Sequence, residues 1–481
     1  MLTIQCGHSR PDCEGVSRRD FLRVGTLGLG GLCLTDLLGT KAQAGARVDF
    51  IRDKSVVILY LSGGASHIET FNPNMDAPAP YHSITGQVKS SLPGVTFGGT
   101  FPQLAKHAHR MAIVRSFRHP IGGHSQAHVH VLTGGTDRRG TGEEGYSMGS
   151  VYSRLAGASH PESGLPSFSL LTHAEIDGQY SKELGRVLAG SAPGKLGPAY
   201  APFRYHEGGK QSSRKRKSRS SKGGSIAEDM KLNVKPDRLD DRRGLLRSLD
   251  RMKHQLDQAG QFDAIDKYQH QAYDLVLGSA GKAFDLSKEP KYLRNQYDTS
   301  KIKIGHKKFR PSTLGHQMLM ARRLVETGCG FVTVHSAGWD MHADGNNPGI
   351  VKGMNMLGRS LDRAVSAFLE DLKQRGLSEK VLLVITGDFG RTPKLNKRGG
   401  RDHWANLCTL ALAGGGLKVG QVIGRSDHNN GEPAGDPVDA GMMMTTIMQT
   451  LFDPGKLRIA QGLPRRLVEL VDKGTPIPGL L

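Results

Sequence analysis

Three short stretches of this 481-residue chain bring carboxylate, imidazole and guanidinium groups close together. They are Gly338-Trp339-Asp340-Met341-His342-Ala343-Asp344, Thr386-Gly387-Asp388-Phe389-Gly390-Arg391-Thr392-Pro393 and Gly400-Arg401-Asp402-His403-Trp404. Asp supplies charge and neutral His a directional nitrogen, a pairing that suits a divalent ion such as Zn²⁺, Mn²⁺ or Fe. Such an ion polarises a phosphoryl or sulfuryl oxygen and lowers the pKa of an attacking hydroxyl. Arg391 and Arg401 add fixed cationic forks of the kind that hold an oxyanion; a salt bridge to Asp388 or Asp402 is the structural alternative. Taken singly, an Asp near a His is more often a turn beside a surface imidazole.

A fourth stretch, Arg118 to His130, carries His119, His124, His128 and His130 and runs into Val131-Leu132-Thr133-Gly134-Gly135. A cluster this dense suits metal binding, or activation of Ser125 as a nucleophile by an adjacent imidazole. If Gly123 to Leu132 is helical, His124 and His128 share one face and His130 points elsewhere as a structural residue.

These residues need elements to position them. Ser55 to Leu61 (SVVILYL) is a continuous β-branched and apolar run ending in Ser62-Gly63-Gly64, the pattern of a buried parallel strand entering a loop. Gly330 to His335, Lys380 to Thr386 and Leu407 to Ala413 repeat it. Helical patterns lie between and beyond them, at Ser312 to Thr327, Val351 to Gln374 and Gly441 to Phe452. Strands alternating with helices predict an α/β doubly wound sheet. Ligands bind such sheets outside the carboxyl ends of the strands, where His67, Glu69, Asp340, His342 and Asp388 fall.

At 37% hydrophobic and 23% charged, the chain has ample apolar surface for a core and is neither disordered nor fibrous. Its net charge of +20 is concentrated in a Ser/Gly-rich run from Lys210 to Lys222, inside an expected disordered insertion at about 207–232. Asp237 to Gly278 reads as a helical hairpin. At the start, Ser17-Arg18-Arg19-Asp20-Phe21-Leu22 precedes an apolar Gly-rich run, and Ala42-Gln43-Ala44 supplies a cleavage pattern. That order predicts a twin-arginine signal over 1–44, a mature domain over 45–481 without a transmembrane anchor, and a periplasmic or otherwise extracytoplasmic location reached through the twin-arginine translocase. Export makes nucleic acid an unsuitable partner for the basic run and favours an acidic polymer or surface. Beyond the signal only Cys329 and Cys408 remain, each expected as a buried small hydrophobe.

The motifs resemble a family known as domain of unknown function 1501. The matching stretches are Gly63 to Phe71, Gly338 to His342, Gly387 to Pro393 and Gly400 to Trp404. That family looks like a branch of the alkaline phosphatase and sulfatase superfamily, which implies an alkaline phosphatase-like fold, a central mostly parallel sheet flanked by helices on both faces. The resemblance also implies a divalent metal (Zn, Mn, Fe or Ca) held by Asp340, His342, Asp388 and His403. Paired acids usually follow the first strand; here Ser62 and Gly63 do, so a ligand from that loop would be Glu69. The usual nucleophile position falls on His124, with Ser125 adjacent. The implied activity is hydrolysis of phosphate or sulfate esters, with Ser125 or His124 attacking and Arg391 steadying the oxyanion. The absence of a Cys-x-Pro-x-Arg pattern tilts the expectation towards phosphate. The alternative is a catalytically degenerate exported protein of the same fold that binds an anionic polymer through its basic loop.

Overall fold

In the computed structural model the described residues are 49–161, 163–173, 177–207 and 283–481. The expected signal, the basic run from Lys210 to Lys222 and the hairpin expected over Asp237 to Gly278 lie outside them. Residues Met1–Ile51 and Arg52–Leu481 form separate units, and every element below belongs to the second.

Eight strands build the main sheet: β1 (Ser55–Leu61), β2 (Met111–Val114), β3 (Phe168–His173), β4 (Phe203–Glu207), β5 (Phe331–Ser336), β6 (Val381–Gly387), β7 (Leu410–Gly414) and β8 (Gln421–Ile423). Their spatial order is β8-β2-β7-β6-β1-β5-β3-β4. All neighbours are parallel except those of β7, which runs antiparallel to β6 and β2. The apolar run expected as a strand from Leu407 enters the sheet only at Leu410. Before that point the chain is tied elsewhere: the Cys408 N–H donates to Phe117 O and the Thr409 hydroxyl to Ala65 O.

Strand β1 is central and buried along both faces from Val56 onward. That burial is why it reads as an unbroken apolar run. Val57, Leu59 and Leu61 join one core with Leu319, Met320 and Leu324 of helix α4 (Leu314–Glu326) and Leu361, Val365 and Phe368 of helix α5 (Arg359–Gln374). Each such side chain contributes about 1.5–3 kcal/mol by leaving water. Helices Met148–Ala156 and Ala440–Leu451 also pack on the sheet, and Tyr152 stacks near Phe331 and Phe452. The helix expected from Val351 is helical throughout but opens into a π turn at Met354–Gly358 before α5. Cys329 and Cys408 are buried and free, as their apolar surroundings imply.

Helices α4 and α5 are locked by a buried charge network. The fully buried Arg322 guanidinium meets Asp371 at 2.8 Å, Glu289 at 2.8 Å and Glu326 at 2.6 Å, while the Tyr297 hydroxyl donates to Asp371 at 3.0 Å. Removing one member strands the others in a low-dielectric interior. Arg322→Ala is therefore expected to cost about 3–5 kcal/mol of stability, measurable as a lowered urea midpoint with an unchanged slope.

Candidate active site

Register sets the position of the site. Leu61 lies opposite Gly387 on one side and Ser336 on the other, so β1, β5 and β6 end in one row. The residues just beyond that row are Ser62 to Gly64, Gly338 to His342 and Asp388 to Arg391. The turn after β1 passes between the two acid-bearing loops. Gly63 has φ +103 and Gly64 φ +86, and an added Cβ would lie 2.6 Å from the Asp340 nitrogen or 2.7 Å from the Phe389 ring. Only glycine fits both the conformation and the space.

Asp388 is fully buried and both its carboxylate oxygens are held. The Gly63 N–H donates to Oδ1 at 2.9 Å, His124 Nδ1 lies 2.5 Å from Oδ2, and His128 Nδ1 is 3.5 Å away. Burial alone would raise its pKa; His128, the His124 hydrogen bond and Arg391 outweigh it and bring it to about 2. Asp340 is arranged alike. Arg391 Nη2 meets its Oδ1 at 2.6 Å and His342 Nε2 at 2.9 Å, with His403 Nε2 at 3.6 Å; His124 Nε2 is 3.3 Å from Oδ2. Its burial is likewise overcome, chiefly by Arg391 and the three imidazoles, which hold the carboxyl well below the usual range.

His124 thus bridges the two carboxylates. Desolvation opposes its charge, but hydrogen bonds to Asp340 and Asp388 raise its pKa. It opens helix α1 (His124–Leu132), whose N-cap is Gly123. One turn on, His128 places Nδ1 2.7 Å from His124 O and Nε2 2.6 Å from Ser62 Oγ. A two-residue hairpin pairs Gly390–Arg391 with His403–Trp404 and so joins the last two sequence motifs. His403 Nδ1 is 3.2 Å from Gly122 O, which leaves Nε2 facing Asp340 and His342. His342 Nδ1 is held by Asp402 at 2.9 Å. The His403 ring packs 4.3 Å from His124 and 4.6 Å from Phe389.

Among the described residues two sets of side chains could hold a metal ion: His124, His128 and Asp388, and His124, Asp340 and His403, each with its ligand atoms within 4.8 Å of one another. Of the residues expected at the site, the fold brings Asp340, His342, Asp388, His403, His124 and Arg391 together. Three expectations are corrected. Glu69 does not join them, because its carboxylate is taken by Arg401 at 2.9 Å, Ser83 at 2.5 Å and Thr85 at 2.8 Å. Ser125 is exposed on α1, apart from the groups that converge on the carboxylates. Arg391 is fully buried, with its N–H groups directed at Gly64 O, Arg401 O, His342, Gly63 O and Asp340, so no donor is left for an oxyanion. Arg401 is likewise spent on Glu69 and on the carbonyls of Thr392, Pro393 and His82.

Two participants were outside the expected ligand set, His128 and Ser62. The four-residue spacing from His124 was the signal for His128. Ser62, the first polar residue after β1, had none beyond its place at a strand end. His67 sits apart on Asn430 O, its pKa lowered by burial to about 4. His119 Nε2 supports the main chain at Asp388 O, 2.6 Å away.

A family model described as protein of unknown function, DUF1501, matches residues 53–481. The chain belongs to that family. No curated protein matches it. Among solved structures it is similar to the lipoteichoic acid synthase LtaP from Listeria monocytogenes, at 11% identity and TM-score 0.39 over 89% of this chain and 76% of that one. The PsFucS1 sulfatase from Pseudoalteromonas sp. is similar at 14% identity and TM-score 0.37, over 92% and 76%. Alkaline phosphatase from the Antarctic bacterium TAB5 is similar at 10% and 0.35, over 84% and 98%. Identities and scores this low assign no chemistry to this DUF1501 chain; its own side chains must.

Arg391 is the countercharge on which Asp340 depends. Arg391→Met is expected to cost about 3–5 kcal/mol in urea unfolding, because it takes the fixed countercharge from a buried carboxylate and the donors from three carbonyls, those of Gly63, Gly64 and Arg401. Arg391→Lys keeps the charge but not the fork, and a smaller loss is expected.

Proposed function

We propose that this protein is a metal-dependent hydrolase of phosphate or sulfate esters, acting outside the cytoplasm. The observation that carries the reading is the pair of ligand sets sharing His124. The donors fit a borderline divalent ion: two carboxylates held ionised and three imidazoles, among them a buried His124 whose Nε2 lies 3.3 Å from Asp340 Oδ2. His124, Asp340 and His403 would hold one ion, with His342 beside them; Asp388 and His128 complete the second set. Bound there, the ion would polarise the ester oxygen and lower the pKa of the attacking hydroxyl.

The remaining roles belong to the chain itself. Arg391, spent on Asp340 and the glycine turn, orients a ligand rather than the substrate. The N-terminus of α1 faces the site through His124, and its unpaired N–H groups suit the oxyanion role first expected of Arg391. With His124 clamped between carboxylates and Ser125 on the exposed side of α1, attack falls to water. Asp402 holds His342 in one orientation, a pairing suited to carrying a proton to the leaving group.

Elemental analysis of the purified protein tests the reading first. Stoichiometric Zn, Mn, Fe or Ca is expected in the wild type and absent from Asp340→Ala and His403→Ala. Hydrolysis of an aryl phosphate or aryl sulfate should then fall by at least about 10²-fold in the same variants. No bound metal, even after adding divalent ions, would instead favour a binding protein that holds an acidic polymer through Lys210 to Lys222.

We also infer export by the twin-arginine translocase, supported by Arg18-Arg19, the apolar run after them and Ala42-Gln43-Ala44. Among the described residues no helix is long and apolar enough to cross a membrane. Replacing Arg18 and Arg19 by Lys is expected to leave the protein in the cytoplasmic fraction, whereas unchanged export would exclude this route.

A further inference from the structure

Helix α3 (Gly178–Gly190) packs against α1 and turns one face towards the site. Gln179, Glu183 and Gly190 recur on that face at helical spacing. Gly190 lies against α1 itself: an added Cβ would fall 2.8 Å from His128 O and 2.7 Å from Leu132 Cδ1. At the opposite end Asp177, just before the helix, accepts the main-chain N–H groups of His306 at 2.9 Å and Lys308 at 3.2 Å. The helix is therefore fixed at both ends, at one of them on the backbone of a candidate ligand.

Between these anchors α3 touches the Asp340 loop twice. Glu183 is fully buried, and its Oε2 accepts the Gly338 N–H at 2.7 Å. Its Oε1 faces the turn after β1, where a Cβ added at Gly63 would lie 3.0 Å away. One turn earlier, Gln179 Nε2 donates to Asp340 Oδ2 at 3.4 Å, the oxygen that also lies 3.3 Å from His124 Nε2. Burying a carboxylate is costly, and packing alone at position 183 would be met by Leu or Met. An acid there adds direction. It holds the main chain two residues before Asp340, while the Gln179 amide holds the carboxylate itself.

We propose, on the reading of Asp340 as a metal ligand, that Glu183 and Gln179 are positioning residues of the site. Glu183 sets the path of the loop from Gly338 to Asp340, and Gln179 sets the orientation of the Asp340 carboxylate towards His124 and His403. Both act through Asp340, as outer partners of a metal ligand do.

Titration of the metal-free full chain with Co²⁺, followed by visible absorption and by competition with a chelator, reads affinity and ligand geometry without any substrate. Glu183→Leu is expected to bind Co²⁺ about 10–100-fold more weakly than wild type, and Gln179→Leu about tenfold more weakly, each with a displaced absorption band. Glu183→Gln keeps an acceptor for the Gly338 N–H and should recover most of the affinity. Arg322→Ala is destabilised through α4 and α5 and touches none of the candidate ligands; its folded fraction should bind Co²⁺ as wild type does, which separates positioning from stability. Should Glu183→Leu fail to fold, the partly buried Gln179 decides the matter through Gln179→Leu. Wild-type affinity and spectrum in the leucine variants would overturn the positioning roles and leave the metal site standing. A wild-type chain that takes up no Co²⁺, Zn²⁺ or Mn²⁺ would overturn both.

Discussion

Two buried carboxylates that share one imidazole set the terms for the rest of this structure. Asp340 and Asp388 both touch His124, and neither could stay ionised inside the protein without compensation. Among the described residues Arg391 supplies the one permanent positive charge in contact with them, on Asp340. The imidazoles of His124, His128, His342 and His403 and the Gly63 N–H supply the remainder. Such an arrangement holds carboxylates ionised at the end of a hydrophobic sheet, as a metal site requires.

The surrounding architecture serves that arrangement. Arg391 reaches Asp340 only because it also grips the carbonyls of Gly63 and Gly64, so the turn after β1 must pass close beneath it. Two consecutive glycines with positive φ make that approach possible. The short hairpin that carries Arg391 and His403 is fixed from behind by Arg401, whose partner Glu69 is itself enclosed by Ser83 and Thr85. Charged residues that look interchangeable along the chain therefore divide into a pair inside the site and a pair that supports it. Arg391 and Arg401 are ten positions apart and equally buried, yet only the first touches the ligand set.

Much of the fold was legible along the chain. Strands β1, β5 and β6 are buried on both faces, so burial itself writes an apolar run at each position, and their ends are correct to within one residue. The Asp340 and Asp388 stretches follow β5 and β6 because open α/β sheets display side chains at those ends, whereas His403 is brought in by its pairing with Gly390–Arg391. Local sequence could not say when β7 joins the sheet, since Cys408 and Thr409 are held by the distant carbonyls of Phe117 and Ala65. Nor did the periodicity of the α5 region carry a mark of the π turn at Met354–Gly358.

For the site, residue types and spacing singled out the three Asp/His stretches and placed His124 and His128 on one helical face, and the family resemblance picked Asp340, His342, Asp388 and His403 from those stretches. Only the tertiary structure decided the roles of the others. Glu69, Arg401 and Arg391 have the same chemistry in the sequence whether they face a ligand or one another, because a charge finds its partner across hundreds of residues: Glu69 meets Arg401, and Arg391 meets Gly63. Ser125 looked equivalent to His124 until the helix turned one into the site and the other out to solvent. The direction of a side chain is set by packing, which a linear spacing does not contain.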